Sequence, residues 1–190
     1  MDLQDYLRML RRNWIIVVSA ALVGLLAGAA ATLLVRPTYT AQSQLFVAIQ
    51  GSGTVSELQQ GNTFSQARVQ SYVKTIATPV VLQPVVETLG LNISASRLAG
   101  QVTATSDLNT VIITISAEDT SPVQAAAIAQ AVADSLIVAV DTLERPKTGG
   151  TSPVSLSIIR PAEAPSSPSA PNVHLNLIIG LVTGLLGGVA

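Results

Sequence analysis

The sequence predicts a small α/β (α+β) extracytoplasmic domain, a sheet with helices on one face, that is flanked by two transmembrane helices. Two long apolar segments lie near the two ends of the 190-residue chain. Between them, stretches that alternate with period two, typical of strands, are interspersed with stretches of period 3.6, typical of helices. Only 11% of the residues are charged although 48% are hydrophobic, so the apolar excess is concentrated in a few segments.

The composition also restricts the kinds of chemistry that we expect. The net charge of −1 gives no electrostatic support for a nucleic-acid partner. Because the chain has no cysteine, disulfides and thiolate chemistry are excluded, and the single histidine, His174, cannot build a histidine metal site alone. These residues contain no phosphate-binding loop or nucleophile elbow, so we predict a non-enzymatic protein with no metal and no cofactor.

The first apolar segment comprises residues 14–35, which are 22 residues without a charge. At the helical rise this length spans about 33 Å, which matches a bilayer core of about 30 Å. The alternative is a cleaved signal peptide, whose apolar core has roughly 7–15 residues. This segment is longer, and no clear small-residue cleavage site follows it before Arg36. We therefore predict a transmembrane helix over residues 14–35.

The second apolar segment comprises residues 173–190, which are 18 residues without aspartate, glutamate, lysine or arginine. This meets the lower limit for a membrane-spanning helix. A second spanning helix normally finishes with basic residues on the cytoplasmic side, and none precedes the end at Ala190. We therefore expect a transmembrane helix here and a chain that continues beyond Ala190.

Basic residues predict the orientation. Arg8, Arg11 and Arg12 precede the first apolar segment, whereas only Arg36 follows it closely. The positive-inside rule places residues 1–13 in the cytoplasm. The domain at residues 36–160 is then outside the cytoplasmic membrane, which the chain crosses twice.

Four segments read as strands. The first is "TYTAQSQLFVAI", in which Tyr39, Ala41, Leu45, Val47 and Ile49 share one parity. Two more, "QVTATS" and "TVIITISA", are separated by Asp107-Leu108-Asn109, which suits a tight turn. The last, "PVSLSIIRPA", alternates Val154, Leu156 and Ile158 with serines. The first and last strands both adjoin an apolar segment, so pairing them, or bringing them close, would place the two predicted transmembrane helices side by side.

Helical periodicity appears in three places after a flexible loop at residues 51–62. A helix from about Thr63 has Val69, Val73, Ile76 and Val80 on one face. A second begins at Pro79 and ends at Gly90, and Pro84 inside it implies a bend or a short first piece. A third begins after Thr120 or Ser121, with Pro122 in its first turn. Its predicted buried stripe comprises Ile128, Val132, Leu136, Ala139 and Leu143.

Small residues recur at every fourth position in both apolar segments. The first segment has Ala20, Gly24, Gly28 and Thr32, and the second has Gly180, Gly184 and Gly188. This spacing lets two helices approach closely in lipid, so we predict helix packing through these residues, within one chain or between chains. The alternative is that glycine is simply common in transmembrane helices.

A proline-rich linker, residues 161–172, precedes the second apolar segment. Its prolines include Pro165, Pro168 and Pro171. Proline fixes φ and favours an extended, stiff chain. We interpret the linker as a stiff connection that holds the domain at a set height above the bilayer and transmits changes in its packing to the second helix.

The order and spacing of these segments resemble the chain-length determinant (Wzz-type, polysaccharide co-polymerase) family across nearly the whole chain. The resemblance rests on "DLQDYLRMLRRNWIIV", "PTYTAQSQLFV", "SYVKTIATPVVLQPVVETLGL" and "NTVIITISAEDTSPVQAAAIAQAVADSL". The most specific mark is the proline ladder before a glycine-rich second span. In this chain Pro165, Pro168, Pro171, Gly180, Gly184 and Gly188 carry it.

The resemblance implies a non-enzymatic, homo-oligomeric regulator in the cytoplasmic membrane that controls the length or export of a capsule, exopolysaccharide or lipopolysaccharide chain. Its partners would be the lipid bilayer and a polysaccharide polymerase or export machinery. Family members that act on O-antigen have a long helical protrusion, for which residues 52–90 are too few. The chain is more similar to compact modulators of a cytoplasmic bacterial tyrosine kinase, which is a separate partner or is fused after the second span.

Other functions remain alternatives. A two-span membrane receptor would need a pocket for its ligand, and the sequence shows no polar or aromatic cluster to line one. A tethered enzyme would need catalytic groups, and we find none in these residues. A structural subunit of an envelope transporter cannot be distinguished by sequence from a regulator of polysaccharide assembly. Since aromatic residues are only 3% of the chain, we expect no tight sugar binding by the outer domain.

Overall fold

The computed structural model describes residues 13–49, 68–107, 110–146 and 152–189. The loop predicted at residues 51–62, the centre of the predicted turn at residues 108–109 and the N-terminal residues 1–12 lie outside this part of the chain. The described residues form two compact units. One comprises the residues up to Thr38 and those from Pro168 onward, and the other runs from Tyr39 to Ser167.

The second unit, which we call the α/β unit, is built on a four-stranded sheet. The strands are β1 (Tyr39–Ile49), β2 (Val102–Ser106), β3 (Ile112–Asp119) and β4 (Val154–Arg160). Their order is β2-β3-β1-β4, and every neighbouring pair is antiparallel. All four predicted strands are confirmed, and the first strand pairs with the last.

The described helices are six. They are α1 (Trp14–Leu34), α2 (residues 68–76), α3 (Pro79–Thr88), α4 (Ala95–Ala99), α5 (Pro122–Glu144) and α6 (Val173–Val189). The short helix α4 was not predicted, although Ser94 is an ordinary N-cap whose hydroxyl accepts a hydrogen bond from the Arg97 amide at 3.3 Å. Ser121 caps α5 in the same way, through the Gln124 amide at 3.4 Å.

One face of the sheet is buried under α5. Residues Ala41, Leu45 and Val47 of β1 lie on this face and are almost fully buried, as the alternation predicts. Leu45 is paired with Ile113 of β3 on one side and with Ile158 of β4 on the other. Since α5 packs on β1, β3 and β4, and α3 packs on α5, the helices lie on one face, as predicted.

Two residues of the predicted buried faces are exposed instead. Val80 is 63% exposed because the first helical series is interrupted at residues 77–78 and α3 begins anew at Pro79, which turns its face. Leu143 is 63% exposed because the buried series of α5 continues in steps of four through Val140 to Glu144. Both exposed residues line a groove of about 460 Å³ between α3 and α5.

The end of α3 follows its sequence closely. Gly90 has a φ of +60°, a conformation that glycine adopts without steric cost, and it follows the last helical turn as predicted. The helix runs from Pro79 to Thr88 without interruption, so the predicted short first piece before Pro84 is wrong.

A buried tyrosine links α2 to the end of α5. The Tyr72 hydroxyl donates a hydrogen bond to Glu144 Oε1 at 3.1 Å, and Arg68 forms an ion pair with the same carboxylate. Burial, and then the negative charge of Glu144, raise the pKa of Tyr72 to about 12. This contact anchors the described end of α2 to the core through a neutral hydroxyl.

Candidate functional site

The first candidate site is the helix pair formed by α1 and α6. Helix α1 has 21 residues and α6 has 17, which correspond to about 32 Å and about 26 Å at the helical rise. By length and composition, α1 and α5 are the described helices that could cross a membrane. Helix α6 is also apolar, but with 17 residues it is one residue shorter than the 18 that a membrane span requires. Because α5 forms the core of the α/β unit, we interpret it as a core helix.

The two helices run antiparallel and touch through backbone. Gly24 faces Gly180 and Gly184, so that a Cβ placed on Gly24 would collide with the Gly180 carbonyl. A Cβ on Gly28 would lie 2.6 Å from the Asn176 carbonyl oxygen, and one on Gly184 would lie 2.5 Å from the Ala20 carbonyl oxygen. No side chain fits at these positions without separating the helices.

The two series of small residues therefore lie along one contact between α1 and α6. The series runs in opposite directions along the two helices, so that Gly188 lies beside Ala20, at the other end of the contact from Gly28. By contrast, a Cβ on Gly187 of the same helix would have no neighbouring atom within 4 Å. The close approach thus depends on the face of the helix and not on its glycine content.

The sequence reasoning missed a polar contact between the helices. The Asn176 side-chain amide donates a hydrogen bond to Thr32 Oγ1 at 3.1 Å, and the Thr32 hydroxyl donates to the Gly28 carbonyl oxygen at 2.9 Å. Asn176 lies four residues before Gly180, so it continues the every-fourth series of α6 and could have been found from that spacing. Such a side-chain hydrogen bond adds a specific polar contact to the packing of two apolar helices.

The proline ladder is divided between the two units. Pro168 and Pro171 belong to the unit of the helix pair, where Thr38 and Ala170 exchange backbone hydrogen bonds. Pro165 belongs to the α/β unit, where the segment after β4 folds against the start of β1 and the two line a cleft of about 340 Å³. The predicted role of the three prolines as a stiff connection stays a prediction.

The acidic side chains of α5 have ordinary structural partners. Asp134 accepts weak hydrogen bonds from Gln130 one turn earlier, and Asp141 forms an ion pair with Arg145 at 2.5 Å. Within the described ranges, no three histidine, aspartate or glutamate side chains are grouped so that they could hold a metal ion.

A family model and several known proteins match this chain by sequence. A family model described as "Chain length determinant protein" (Wzz) matches residues 1–89. The capsular polysaccharide biosynthesis protein CpsC of Streptococcus pneumoniae is 27% identical over 192 residues, which cover 96% of this chain and 79% of that protein. CpsC of Streptococcus agalactiae is 25% identical, over 80% of this chain but only 63% of that protein.

A further relative is the uncharacterized protein YveK of Bacillus subtilis, which is 26% identical over 100% of this chain and 78% of its own length. Among solved structures, a full-length bacterial polysaccharide co-polymerase matches with a TM-score of 0.53, covering 98% of this chain and 95% of that one. At 10% sequence identity, this structural match shows similarity of fold. The sequence segments that carry the resemblance, the matching family model and these relatives all indicate similarity to the Wzz-type chain-length determinant family.

Proposed function

We propose that this chain is a membrane-anchored regulator of surface polysaccharide biosynthesis that controls chain length without catalysing a reaction itself. The observation that carries the proposal is the match of residues 1–89 to the chain-length determinant family model, together with similarity to two capsular polysaccharide biosynthesis proteins. The antiparallel helix pair supports it, because a close-packed pair of apolar helices is a compact membrane anchor.

In this proposal both α1 and α6 cross the cytoplasmic membrane, with Met1 in the cytoplasm and the α/β unit outside. The arginines before α1 support the orientation. Helix α6 is about 4 Å shorter than a typical bilayer core, a mismatch that local thinning of the bilayer accommodates.

The absence of cysteine makes this topology easy to test. The exposed Ser96 of α4 and, separately, Gln4 would be replaced by cysteine and treated in protoplasts with a membrane-impermeant maleimide. We expect labelling of Ser96→Cys in intact protoplasts and of Gln4→Cys only after lysis. The opposite pattern would exclude the proposed orientation.

We further propose that the chain acts as a homo-oligomer together with a polymerase or export machinery. Oligomerisation supports length control because several copies present several identical contacts to one growing chain. Cross-linking in membranes followed by denaturing electrophoresis should give a ladder of bands at multiples of the monomer mass. A single band at the monomer mass would count against this part of the proposal.

A cytoplasmic tyrosine kinase is the proposed regulatory partner, either fused or separate. The short region between β1 and α3, which leaves little chain for a long protrusion, supports this through the resemblance to compact kinase modulators. In cells that lack the chain, we expect tyrosine phosphorylation of that kinase to fall. Unchanged phosphorylation would remove the kinase from the account.

The proline ladder would connect changes in the α/β unit to α6. We propose that replacing Pro165, Pro168 and Pro171 with Gly and Ser alters polymer length without affecting membrane insertion. Proline has few accessible conformations, so its loss slackens a mechanical connection while leaving the hydrophobic segments intact. Wild-type polymer length in this variant would argue against the mechanical role.

The function itself is tested by the size distribution of surface polysaccharide. We expect a strain that lacks this gene to lose the modal length or the polymer, and the complemented strain to regain it. Unchanged amount and length in the deletion strain would contradict the proposed function.

A further inference from the structure

The cleft beside β1 is lined by polar and charged side chains, and the two charged ones have no hydrogen-bond or ion-pair partner in the described part of the chain. It is lined by Thr40 and Gln42 of β1 and by Arg160, Glu163 and Ser166 from the end of β4 onward. Neither Arg160 nor Glu163 makes a side-chain hydrogen bond or an ion pair with another residue in the described part of the chain. Their donors and acceptors therefore remain available to a bound molecule.

The chemistry of this lining favours a polyhydroxyl ligand over an anion. The Arg160 guanidinium offers a planar fork of donors, the Glu163 carboxylate accepts hydrogen bonds, and Gln42 can do both. A phosphate or another simple anion would be attracted by Arg160 but repelled by Glu163. Neighbouring hydroxyl groups both donate and accept, so a sugar ring satisfies both charged side chains at once.

The cleft is also held in shape. The Arg160 carbonyl oxygen accepts a hydrogen bond from the buried Ser43 hydroxyl at 3.1 Å, and the Ala162 amide donates to Gln130 Oε1 of α5 at 3.1 Å. Pro161 and Pro165 form part of its wall and restrict the backbone between these anchors. A preformed cleft spends less free energy on ordering when a ligand binds.

An aromatic side chain lies farther along the same strand face. Residues 40, 42, 44 and 46 of β1 alternate onto the face of the sheet that is opposite to α5, and Phe46 is 40% exposed there. Phe46 lies two residues, about 7 Å, beyond Gln44, which pairs with Arg160. An exposed ring can pack against the apolar face of a second sugar in the same chain.

We propose that this cleft binds a short stretch of the polysaccharide directly, with Arg160 and Glu163 holding one sugar and Phe46 contacting a neighbouring one. The inference rests on the proposed function and adds a binding site to it. A volume of about 340 Å³ is at the lower end for ligand pockets, and only one aromatic ring contributes, so the binding is weak, with a Kd on the order of 1 mM. Weak binding lets a growing polymer pass.

The test uses the full chain in lipid nanodiscs. The probe is a set of oligosaccharides, a few repeating units long, prepared by partial hydrolysis of the surface polysaccharide of the source strain, and saturation-transfer difference NMR measures their binding. Arg160→Gln and Glu163→Gln should each raise the Kd at least about fivefold, as loss of a charged hydrogen bond does. Phe46→Ala should raise it about threefold.

The matched control is Arg97→Gln. Arg97 is an exposed arginine of the same unit, on α4, which packs against β2 at the opposite edge of the sheet. It should leave oligosaccharide binding unchanged, and circular dichroism should show all variants to be folded. Equal binding by the Arg160→Gln and Arg97→Gln variants would overturn the proposal, as would the absence of saturation transfer to the wild type.

Inorganic phosphate serves as a second probe. We expect no binding of phosphate that depends on Arg160, because Glu163 lies in the same cleft. Binding of phosphate that is lost in Arg160→Gln, without oligosaccharide binding, would identify an anion site and overturn the inference.

Failure of this inference is distinguishable from failure of the proposed function. If deletion of the gene changes polymer length but the cleft variants bind oligosaccharide like the wild type, the inference is wrong and the function stands. If deletion leaves polymer unchanged while Arg160-dependent binding is measured, the site stands and the function is wrong.

Discussion

The helix pair and the α/β unit place their large apolar side chains in opposite ways. In α5, the residues that face the sheet include Ile128, Val132 and Leu136, and they are fully buried. In α1, only Gly28 is buried, whereas Leu26 and Leu33 are 69% and 86% exposed. In water the first arrangement is stable, and in lipid the second is, because exposed leucines are there in contact with hydrocarbon and small residues let the backbones meet.

The comparison teaches that length and hydrophobicity do not by themselves separate a membrane helix from a core helix. Both α1 and α5 pass a length and composition criterion for a membrane span. Their sequences differ in the polar face: α5 has Gln130, Asp134 and Asp141, and an N-cap at Ser121, while α1 has no charged residue. An amphipathic helix, with one polar face in contact with water and one apolar face on the core, is expected at the surface of a soluble domain.

The largest expected effect comes from the core of the α/β unit. Leu136→Ala should lower its free energy of unfolding by about 2–5 kcal/mol, because it leaves a cavity beneath the sheet. Val138→Ala, two residues away and 66% exposed, should have little effect. Protease resistance of the full chain in detergent, measured against urea concentration, checks this. Equal losses in both variants would show that α5 is not a core helix.

The next largest effect should come from the helix pair. Gly184→Leu inserts a side chain whose Cβ would lie only 2.5 Å from the Ala20 carbonyl oxygen, at a cost of about 1–3 kcal/mol. Gly187→Leu, in open space on the same helix, should leave the pair unchanged.

A cysteine pair in the otherwise cysteine-free chain measures this separation. Thr32→Cys with Asn176→Cys should form an intramolecular disulfide in membranes, which Gly184→Leu suppresses and Gly187→Leu does not. A control pair at the exposed positions Leu33 and Leu175 should not cross-link. Cross-linking of the control pair alone would contradict the register of α1 and α6.

A smaller effect, confined to alkaline pH, is expected at Tyr72. Its pKa is raised from 10.0 to about 12 in the folded state, so the folded state favours the neutral hydroxyl. The stabilisation is complete below pH 10 and is lost as the pH rises towards 12. Tyr72→Phe should be less stable at neutral pH but should lose less stability over this interval. Urea midpoints at several pH values check this, and parallel pH curves for both proteins would exclude it.

The smallest effect is expected from the polar contact between the helices. Asn176→Leu removes the hydrogen bond to Thr32, and such bonds in membranes contribute about 0.6 kcal/mol on average. The cysteine cross-link cannot report here because it uses this position, so thermal stability in detergent is the measurement. An effect as large as that of Gly184→Leu would mean that the hydrogen bond, and not backbone contact, dominates the pairing.

Much of the fold could be predicted because its signals are local. Alternation placed the strands, and the residues Ser121, Pro122 and Gly90 marked where helices begin or end. The exposure of Val80 could not be predicted because a periodic series carries no information about a break in the backbone. The exposure of Leu143 could not be predicted because small changes in helical phase accumulate along a long helix. Helix α4 has only five residues, too few for a periodic pattern.

The helix pair and the cleft also differ in how well they can be predicted from the sequence. The two series of small residues in the helix pair are visible in the sequence because each series repeats within one helix. The cleft of Arg160 and Glu163 could not, since it forms only when β4 pairs with β1, more than one hundred residues earlier in the chain. Neither residue type nor spacing marks such a cleft in advance.

The most direct test of the account asks whether the paired helices are needed to control polymer length. A deletion strain would be complemented with the wild type, with Gly184→Leu or with Gly187→Leu, at equal amounts of membrane-bound protein, and the size distribution of its surface polysaccharide measured. We predict that Gly184→Leu resembles the deletion strain and that Gly187→Leu restores the wild-type modal length. Wild-type distributions from both variants would contradict the account.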